Sequence, residues 1–189
     1  PEDVGKCLLT IANHFIMLED YENALPLYKE AYQLALEHKS IELQQVSGIM
    51  LIKYLCGAGY YSESLEYYNK IKPEIAFNPS MQNEVVKSYM ELNKPDSARI
   101  YLAARLLSER GDKIVLNCMM AETYIPEGQE DSAFVFLDRA MKSYKEKAKN
   151  YQKQGREAIL PNCFLSPCYL FADLLWKKGK IQQASQYYM

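Results

Sequence analysis

The chain has 189 residues, of which 49% are hydrophobic and 24% are charged, as expected for a folded domain of ordinary size. Its net charge of −2 and pI of about 5.8 lack the basic footprint of nucleic-acid-binding proteins. Eight glycines and eight prolines are too few for a turn-rich all-β fold. No apolar run approaches the roughly 18 residues of a membrane span, and no signal peptide is visible. For this stretch of chain we therefore expect contact with neither nucleic acid nor membrane.

The two ends of the sequence suggest a piece of a longer protein. The first residue is Pro1, and Gln183–Met189 has the pattern of the middle of a helix without a cap. We expect a fragment whose parent protein works in the bacterial cytoplasm or periplasm, and the sequence does not choose between these compartments.

The cysteines do not form the pattern of a disulfide framework. Their number is odd and their spacing irregular, which favours buried or half-buried thiols. Whether Cys163 and Cys168 lie close together is left open by the sequence. The five positions are Cys7, Cys56, Cys118, Cys163 and Cys168.

A short sequence motif occurs five times along the chain. The segment 19–25 resembles segments that begin at Gly59, Asn93, Gly128 and Gly179, and each contains a small residue that we use as an anchor. Internal repeats of this length indicate a repeat architecture. The anchors are separated by 40, 34, 35 and 51 residues, and they are Ala24, Ser64, Ala98, Ala133 and Ala184.

Large side chains keep fixed distances from these anchors. In the first repeat, Ile11 and Phe15 lie 13 and 9 residues before the anchor, and Tyr28 lies 4 residues after it. Equivalent positions are apolar or Tyr in all five repeats, and position −12 is occupied by Ala, Ile or Val. Positions −13, −12 and −9 share one face of a helix, and positions 0, +4 and +7 share one face of a second helix. The pattern predicts two helices joined by a short polar turn, with the small anchor at their closest approach.

This pattern resembles the tetratricopeptide repeat (TPR). The residues that carry the resemblance in the first repeat are Ala12, Phe15, Tyr21, Ala24, Tyr28 and Ala31. The second repeat departs from the pattern with Ile52 and Ser64, and the third departs with Pro95 and Arg105. The resemblance implies an all-α solenoid of about five helix–turn–helix repeats and about ten helices. The expected repeats within a single domain, 1–189, span approximately 5–38, 44–78, 79–112, 113–158 and 166–189, the last being truncated.

Two spacings between anchors exceed one repeat. An apolar stripe from Leu137 to Tyr151 predicts that the second helix of the fourth repeat extends to about Ala158, followed by a loop containing Pro161 and Pro167. The spacing of 40 predicts a longer connection or a longer first helix around His38–Gln45. The Lys- and Arg-rich segment Arg139–Arg156 is either a solvated helix face or a docking patch for an acidic partner.

Residues for catalysis or cofactor binding are not evident. His14 and His38 are the only histidines, and no His/Cys cluster has the spacing of a metal site. Neither a Gly-rich phosphate loop nor a nucleophile turn occurs. We therefore predict neither an enzyme nor a cofactor-binding protein.

The resemblance also implies where a partner would bind. In this family the first helices of successive repeats line a concave groove that holds an extended peptide or a helix, and the groove-facing positions lie 15, 11 and 8 residues before each anchor. We predict the partner-binding residues to be Leu9, Asn13, Ile49, Lys53, Asn83, Lys87, Glu122, Ile125, Tyr169, Asp173 and Trp176. The remaining positions of the same set are Ile16, Cys56, Met90 and Cys118.

Some members of the family clamp the carboxylate terminus of a chaperone peptide, and the present residues argue against that arrangement. Asn13 fits one clamp position, but Leu9 replaces a lysine, and Ser80 and Glu84 replace basic residues. An alternative occupant of the groove is another part of the parent protein.

Three functions are compatible with these helices. The first is a protein-interaction module, as in the sensory part of a bacterial regulator. The Asp-Ser-Ala motifs at Asp96–Ala98 and Asp131–Ala133 resemble those of such regulators. The second is a structural or carbohydrate-uptake scaffold. The third is single-stranded RNA binding by a related helical repeat, which the acidic pI opposes.

Overall fold

The computed structural model describes residues 2–71, 81–108, 112–155 and 165–188. Ten α-helices and no β-strand occur within these ranges, in agreement with the all-α prediction. The helices are α1 (Glu2–Met17), α2 (Tyr21–Glu37), α3 (Ile41–Gly57), α4 (Tyr61–Lys70), α5 (Gln82–Glu91), α6 (Pro95–Leu107), α7 (Lys113–Glu122), α8 (Glu130–Lys153), α9 (Leu165–Lys177) and α10 (Ile181–Ala184).

The chain divides into two compact halves, Pro1–Lys94 and Pro95–Met189. In the N-terminal half the helices α1 to α5 pack on one another in chain order. The first helices of successive repeats also touch, as α1 with α3 and α3 with α5. In the C-terminal half α6 to α10 pack in the same chain order. Such nearest-neighbour packing is the defining property of a solenoid.

The five anchors lie in the interior of the helical pairs. Ala24, Ser64, Ala98, Ala133 and Ala184 have no exposed surface. Ser64, which replaces the usual alanine, donates a hydrogen bond of 2.9 Å from its hydroxyl to the main-chain oxygen of Ile52 on the paired helix. A small side chain is needed here because the two helix backbones approach closely.

The turn between the two helices of every repeat has one common geometry. The residue five positions before each anchor has a positive φ, between 54° and 86°, and the five are Glu19, Gly59, Asn93, Gly128 and Gly179. One position later, the amide bonds back across the turn, as in Asp20 N to Phe15 O at 2.9 Å and Gln129 N to Tyr124 O at 3.1 Å. This left-handed residue with a six-residue closing bond is the Schellman motif, which satisfies carbonyls that the helix end leaves free.

Most of the predicted core positions are buried. Position −12 is buried in all five repeats, and Arg105, at position +7 of the third repeat, is only 1% exposed. Two predicted core residues are exposed instead. Ile11 is 48% exposed, because α1 packs on α2 and α3 with its other face. Tyr188 is 42% exposed, because it follows a short 3₁₀ turn rather than a continued helix.

The irregular spacings have structural explanations that differ in part from the prediction. The long first spacing reflects a 17-residue first helix, α3, after a connection of only His38–Ser40. Helix α8 is extended to 24 residues as predicted, but it ends at Lys153 and not near Ala158, since Gly155 takes a φ of +68°. Pro167 lies in the first turn of α9 and not in a loop, a position where proline is compatible with a helix.

Some expectations concern residues outside the described ranges. Pro161 and Cys163 are among these, and so is the possible proximity of Cys163 to Cys168. In the described part of the chain, no helix has both the length and the apolar character required to cross a membrane.

The turn geometry gives a prediction for Gly128→Ala. An added Cβ would meet no atom within 4 Å, so the change tests the backbone conformation alone. The left-handed conformation costs a non-glycine residue about 1–2 kcal/mol, and we expect a loss of stability of about 1 kcal/mol in chemical denaturation. Gly57→Ala is the matched control, because Gly57 ends α3 with helical geometry and its Cβ would make ordinary contact with Tyr21 at 3.6 Å. It should gain about 0.5–1 kcal/mol, and equal effects of both changes would contradict the motif.

Candidate partner-binding surface

One repeat position on the first helix is polar and exposed in all five repeats. It lies 11 residues before the anchor, and we call the five residues the first-helix row. In every repeat the preceding residue, at −12, is buried. Since successive helical residues are rotated by about 100°, the border between core and solvent passes between these two positions in all five repeats. The row consists of Asn13, Lys53, Lys87, Glu122 and Asp173.

In the N-terminal half three predicted residues meet at one pocket, which we call the Lys53 pocket. Lys53 on α3 and both Asn83 and Lys87 on α5 line a cavity of about 250 Å³ together with Tyr54 and Glu84. Tyr21, Cys56 and Gly57 complete the lining. The pocket therefore combines two ammonium groups, the carboxylate of Glu84, an amide and aromatic surface.

The two lysines of the Lys53 pocket contact aromatic rings. The Nζ atom of Lys53 lies 5.2 Å from the centroid of the Tyr54 ring, and that of Lys87 lies 6.0 Å from the centroid of Tyr61. Among the described residues, neither lysine forms an ion pair within 4.0 Å. Both ammonium groups are exposed and can form an ion pair with a partner's carboxylate.

Cys56 lines the Lys53 pocket but is a poor nucleophile. The thiol donates a hydrogen bond of 3.5 Å to the main-chain oxygen of Glu84. Burial raises the pKa of Cys56, an effect larger than the opposing influence of Ser88 and Lys87. The thiol stays protonated at neutral pH, and reactivity requires the thiolate.

Other predicted residues in the N-terminal half serve the core. Leu9 is 7% exposed and belongs to the apolar core of α1 to α3, so its side chain is not available to a partner. Ile49 is half-buried. Asn13 is exposed, yet its Oδ1 accepts a hydrogen bond of 2.6 Å from the hydroxyl of the buried Tyr28, whose pKa is raised by burial and by Tyr54. Asn13 thus ties α1 to α2.

In the C-terminal half the predicted residues are acidic and aromatic. Tyr169, Asp173 and Trp176 lie on α9 and are exposed, Trp176 by 55%. The Tyr188 hydroxyl donates a hydrogen bond to Asp173, and the Tyr169 and Tyr188 ring centroids are 6.5 Å apart. Ile125, half-buried in the turn after α7, and Glu122, at the end of α7, belong to the preceding repeat. Partial desolvation raises the pKa of Glu122.

Arg99 forms several polar contacts, and the sequence analysis did not single it out. Its guanidinium donates to the main-chain oxygen of Thr123 at 2.7 Å and to the carboxylate of Glu127, and stacks on Tyr124 at 4.0 Å from the ring centroid. It also pairs with Asp96 at 3.0 Å. The arrangement fastens α6 to the turn of the fourth repeat, a structural role. A separation of 28 residues between Arg99 and Glu127 hides the pair in the sequence.

The aspartates of the two Asp-Ser-Ala motifs form ion pairs. Asp96 pairs with Arg99, and Asp131 pairs with Lys178. The neighbouring Glu130 pairs with Lys177, so that α8 and the end of α9 are linked twice. The aspartates at the starts of α6 and α8 therefore take part in ion pairs at the protein surface.

In the part of the chain that the structure describes, no group of three or more His, Cys, Asp or Glu side chains is placed to hold a metal ion. Among the same residues, Cys7, Cys56, Cys118 and Cys168 form no disulfide bond.

Paired helices that pack in chain order give this chain a TPR-like fold, and comparisons with known proteins agree. Residues 165–189 match the sequence model of the tetratricopeptide repeat family. No curated protein matches the chain in sequence.

Solved structures of several proteins share the fold over nearly the whole chain. MamA has 13% identity and a TM-score of 0.65, covering 98% of this chain and 88% of its own. A kinesin light chain of Podosopora anserina with nearly identical TPR-like repeats has 14% identity and a TM-score of 0.65, covering 97% and 90%. PilW, a type IV pilus biogenesis factor, has 17% identity and a TM-score of 0.55, covering 97% and 90%. The resemblance to TPR proteins is thus confirmed in fold, and such folds generally act as protein–protein interaction scaffolds.

The raised pKa of Glu122 predicts a pH-dependent gain of stability in Glu122→Gln. A carboxyl whose pKa is higher in the folded than in the unfolded state loses stability as the pH rises through these values. Glu122→Gln should therefore raise the melting temperature at neutral pH. The gain should vanish below the ordinary glutamate pKa of about 4.3, where both states are protonated. Both Glu122 and the control site Glu30, changed to Gln on α2, are exposed, so the comparison tests whether the carboxyl of Glu122 is desolvated in spite of its exposure. A gain in Glu122→Gln that persists at low pH would refute that desolvation.

Proposed function

We propose that the chain is a protein-interaction module that holds a peptide or helix of a partner protein in the groove lined by its first helices. The observation that carries the proposal is the first-helix row, which is polar and exposed in all five repeats beside a position that is always buried. Packing alone requires no specific residue type at an exposed position. Asn13 and Asp173 bond to tyrosines of the same half, whereas the side chains of Lys53 and Lys87 are available for recognition.

The N-terminal half favours a partner segment with an acidic group. Lys53 and Lys87 bring two ammonium groups to a pocket of about 250 Å³, and Tyr21 and Tyr54 add aromatic surface. A partner carboxylate between the lysines, with an adjacent apolar side chain on the rings, would satisfy both features. The amide of Asn83 can bond to the main chain of an extended peptide.

The C-terminal half favours a different part of the partner. Glu122 and Asp173 carry the opposite charge, and Tyr169 and Trp176 expose aromatic surface. Trp and Tyr are enriched among the residues that dominate binding energy. A basic or aromatic segment fits this surface, because its charge and shape complement the acidic and aromatic side chains.

A role as the sensory part of a bacterial regulator is a narrower form of this proposal. It rests on the two Asp-Ser-Ala motifs, and the aspartates of these motifs, Asp96 and Asp131, form ion pairs within the protein. A membrane helix and a DNA-binding motif in the same polypeptide would identify a regulator.

Removal of the two lysines tests the N-terminal surface. A peptide selected on the immobilised protein from a random phage-displayed library serves as the probe. Lys53→Ala with Lys87→Ala should weaken binding about tenfold, which corresponds to about 1.4 kcal/mol, in fluorescence anisotropy. Lys70→Ala with Lys94→Ala removes the same charge from exposed sites in the same half and is the control. Equal affinities of the first variant and the unmodified protein would exclude the Lys53 pocket.

The single tryptophan gives an independent test in the C-terminal half. Binding of the selected peptide should shift or quench Trp176 fluorescence, and Trp176→Ala should weaken binding by about 2 kcal/mol without unfolding the protein. Tyr60→Ala, which removes an aromatic ring of equal exposure, 55%, from the N-terminal half, is the control. A loss of melting temperature with unchanged affinity would show that Trp176 is structural.

A further inference from the structure

A second pocket lies in the C-terminal half. It is formed by α8 with α9, α10 and the turn that follows α10, and its volume is about 570 Å³. Lys142, Lys145 and Lys180 lie at its rim, and we call it the Lys142 pocket. A volume of this size is typical of ligand sites.

Aromatic and apolar side chains of the core form the base of the Lys142 pocket. The Phe134 and Phe171 rings stack with centroids 5.2 Å apart, and Tyr187 meets Phe171 edge-on at 5.3 Å. Phe171, Met141 and Leu175 are buried in the core of the C-terminal half. The pocket thus has a base fixed by core packing, with Phe134 and Tyr187 only partly covered.

The rim of the pocket carries uncompensated positive charge. The Nζ atom of Lys145 lies 5.3 Å from the Tyr187 ring centroid, and that of Lys180 lies 5.6 Å from Phe134. Neither lysine has a carboxylate within 4.0 Å among the described residues, whereas Lys142 pairs with Asp138 at 2.7 Å. Two of the three ammonium groups are therefore held over aromatic rings without an anionic partner.

The positive charge continues along α8 beyond the pocket. Between residues 139 and 155 the sequence has six basic residues and one acidic residue, Glu146. Lys142, Lys149 and Lys153 lie on one helix face, and the rise of 1.5 Å per residue places Lys153 about 16 Å along the axis from Lys142. A small anion would contact only part of such a surface, whereas a segment with several carboxylates can follow its whole length.

We infer that the Lys142 pocket and the adjoining face of α8 bind an acidic segment of a partner protein. The carboxylates of this segment pair with Lys145 and Lys180, and an apolar side chain contacts Phe134 and Tyr187. The charged side chains of the site lie on α8 and in the turn before α10, and the site uses none of the first-helix row. It is therefore an additional docking surface beside the proposed groove.

A fluorescein-labelled peptide of alternating glutamate and leucine tests the inference by anisotropy. It should bind the unmodified protein, and the affinity should fall as NaCl is raised, since exposed charges are screened. Lys145→Ala with Lys180→Ala should lower the affinity at least tenfold, and Lys145→Arg with Lys180→Arg should retain it. Circular dichroism establishes that the variants are folded.

The controls separate this site from general electrostatic attraction and from the groove. Lys39→Ala with Lys113→Ala removes the same charge from exposed positions and should leave binding unchanged. An equal loss in that variant, equal binding of a glutamine–leucine peptide, or full displacement by inorganic phosphate would overturn the inference. Loss of binding in Lys53→Ala with Lys87→Ala, but not in Lys145→Ala with Lys180→Ala, would overturn it and leave the proposed groove intact.

Discussion

The turn inside each repeat is the constraint on which the other features depend. A residue with positive φ lies five positions before each anchor, and the next amide closes the turn onto the first helix. The chain then reverses within a few residues, so the second helix must run closely beside the first. That approach leaves space only for alanine or serine at the anchor, and all five anchors are fully buried.

The fixed turn also determines which residues face solvent. Because the anchor and the turn have the same offset in each repeat, the first helices present the same face to the core five times. Position −12 is buried and position −11 is exposed in every repeat, although the side chains at −11 change from Asn and Lys to Glu and Asp along the chain. The repeated backbone therefore provides a scaffold on which the charge of the surface can vary without loss of packing.

Interactions between repeats are less regular than those within them. Arg99 fastens α6 to the turn around Glu127, while Lys177 and Lys178 fasten α9 to the start of α8. These pairs occupy charged residues that would otherwise be candidates for partner binding. Among the lysines that have no carboxylate partner in the described ranges, Lys53 and Lys87 in one half and Lys145 and Lys180 in the other also lie over aromatic rings, and these are the ones we assign to recognition.

The sequence by itself determined the all-α repeat fold, the anchors and the extension of α8, because each follows from local periodicity and from the small or left-handed residue that a turn requires. Tertiary structure decided the rest. The sequence placed Leu9 in the groove, but packing of α1 against α3 buries it, and Pro167 begins a helix rather than a loop. Arg99 with Glu127, and Lys180 with the lysines of α8, become neighbours only after the helices pack, since charges far apart in sequence carry no periodic signal of their contact.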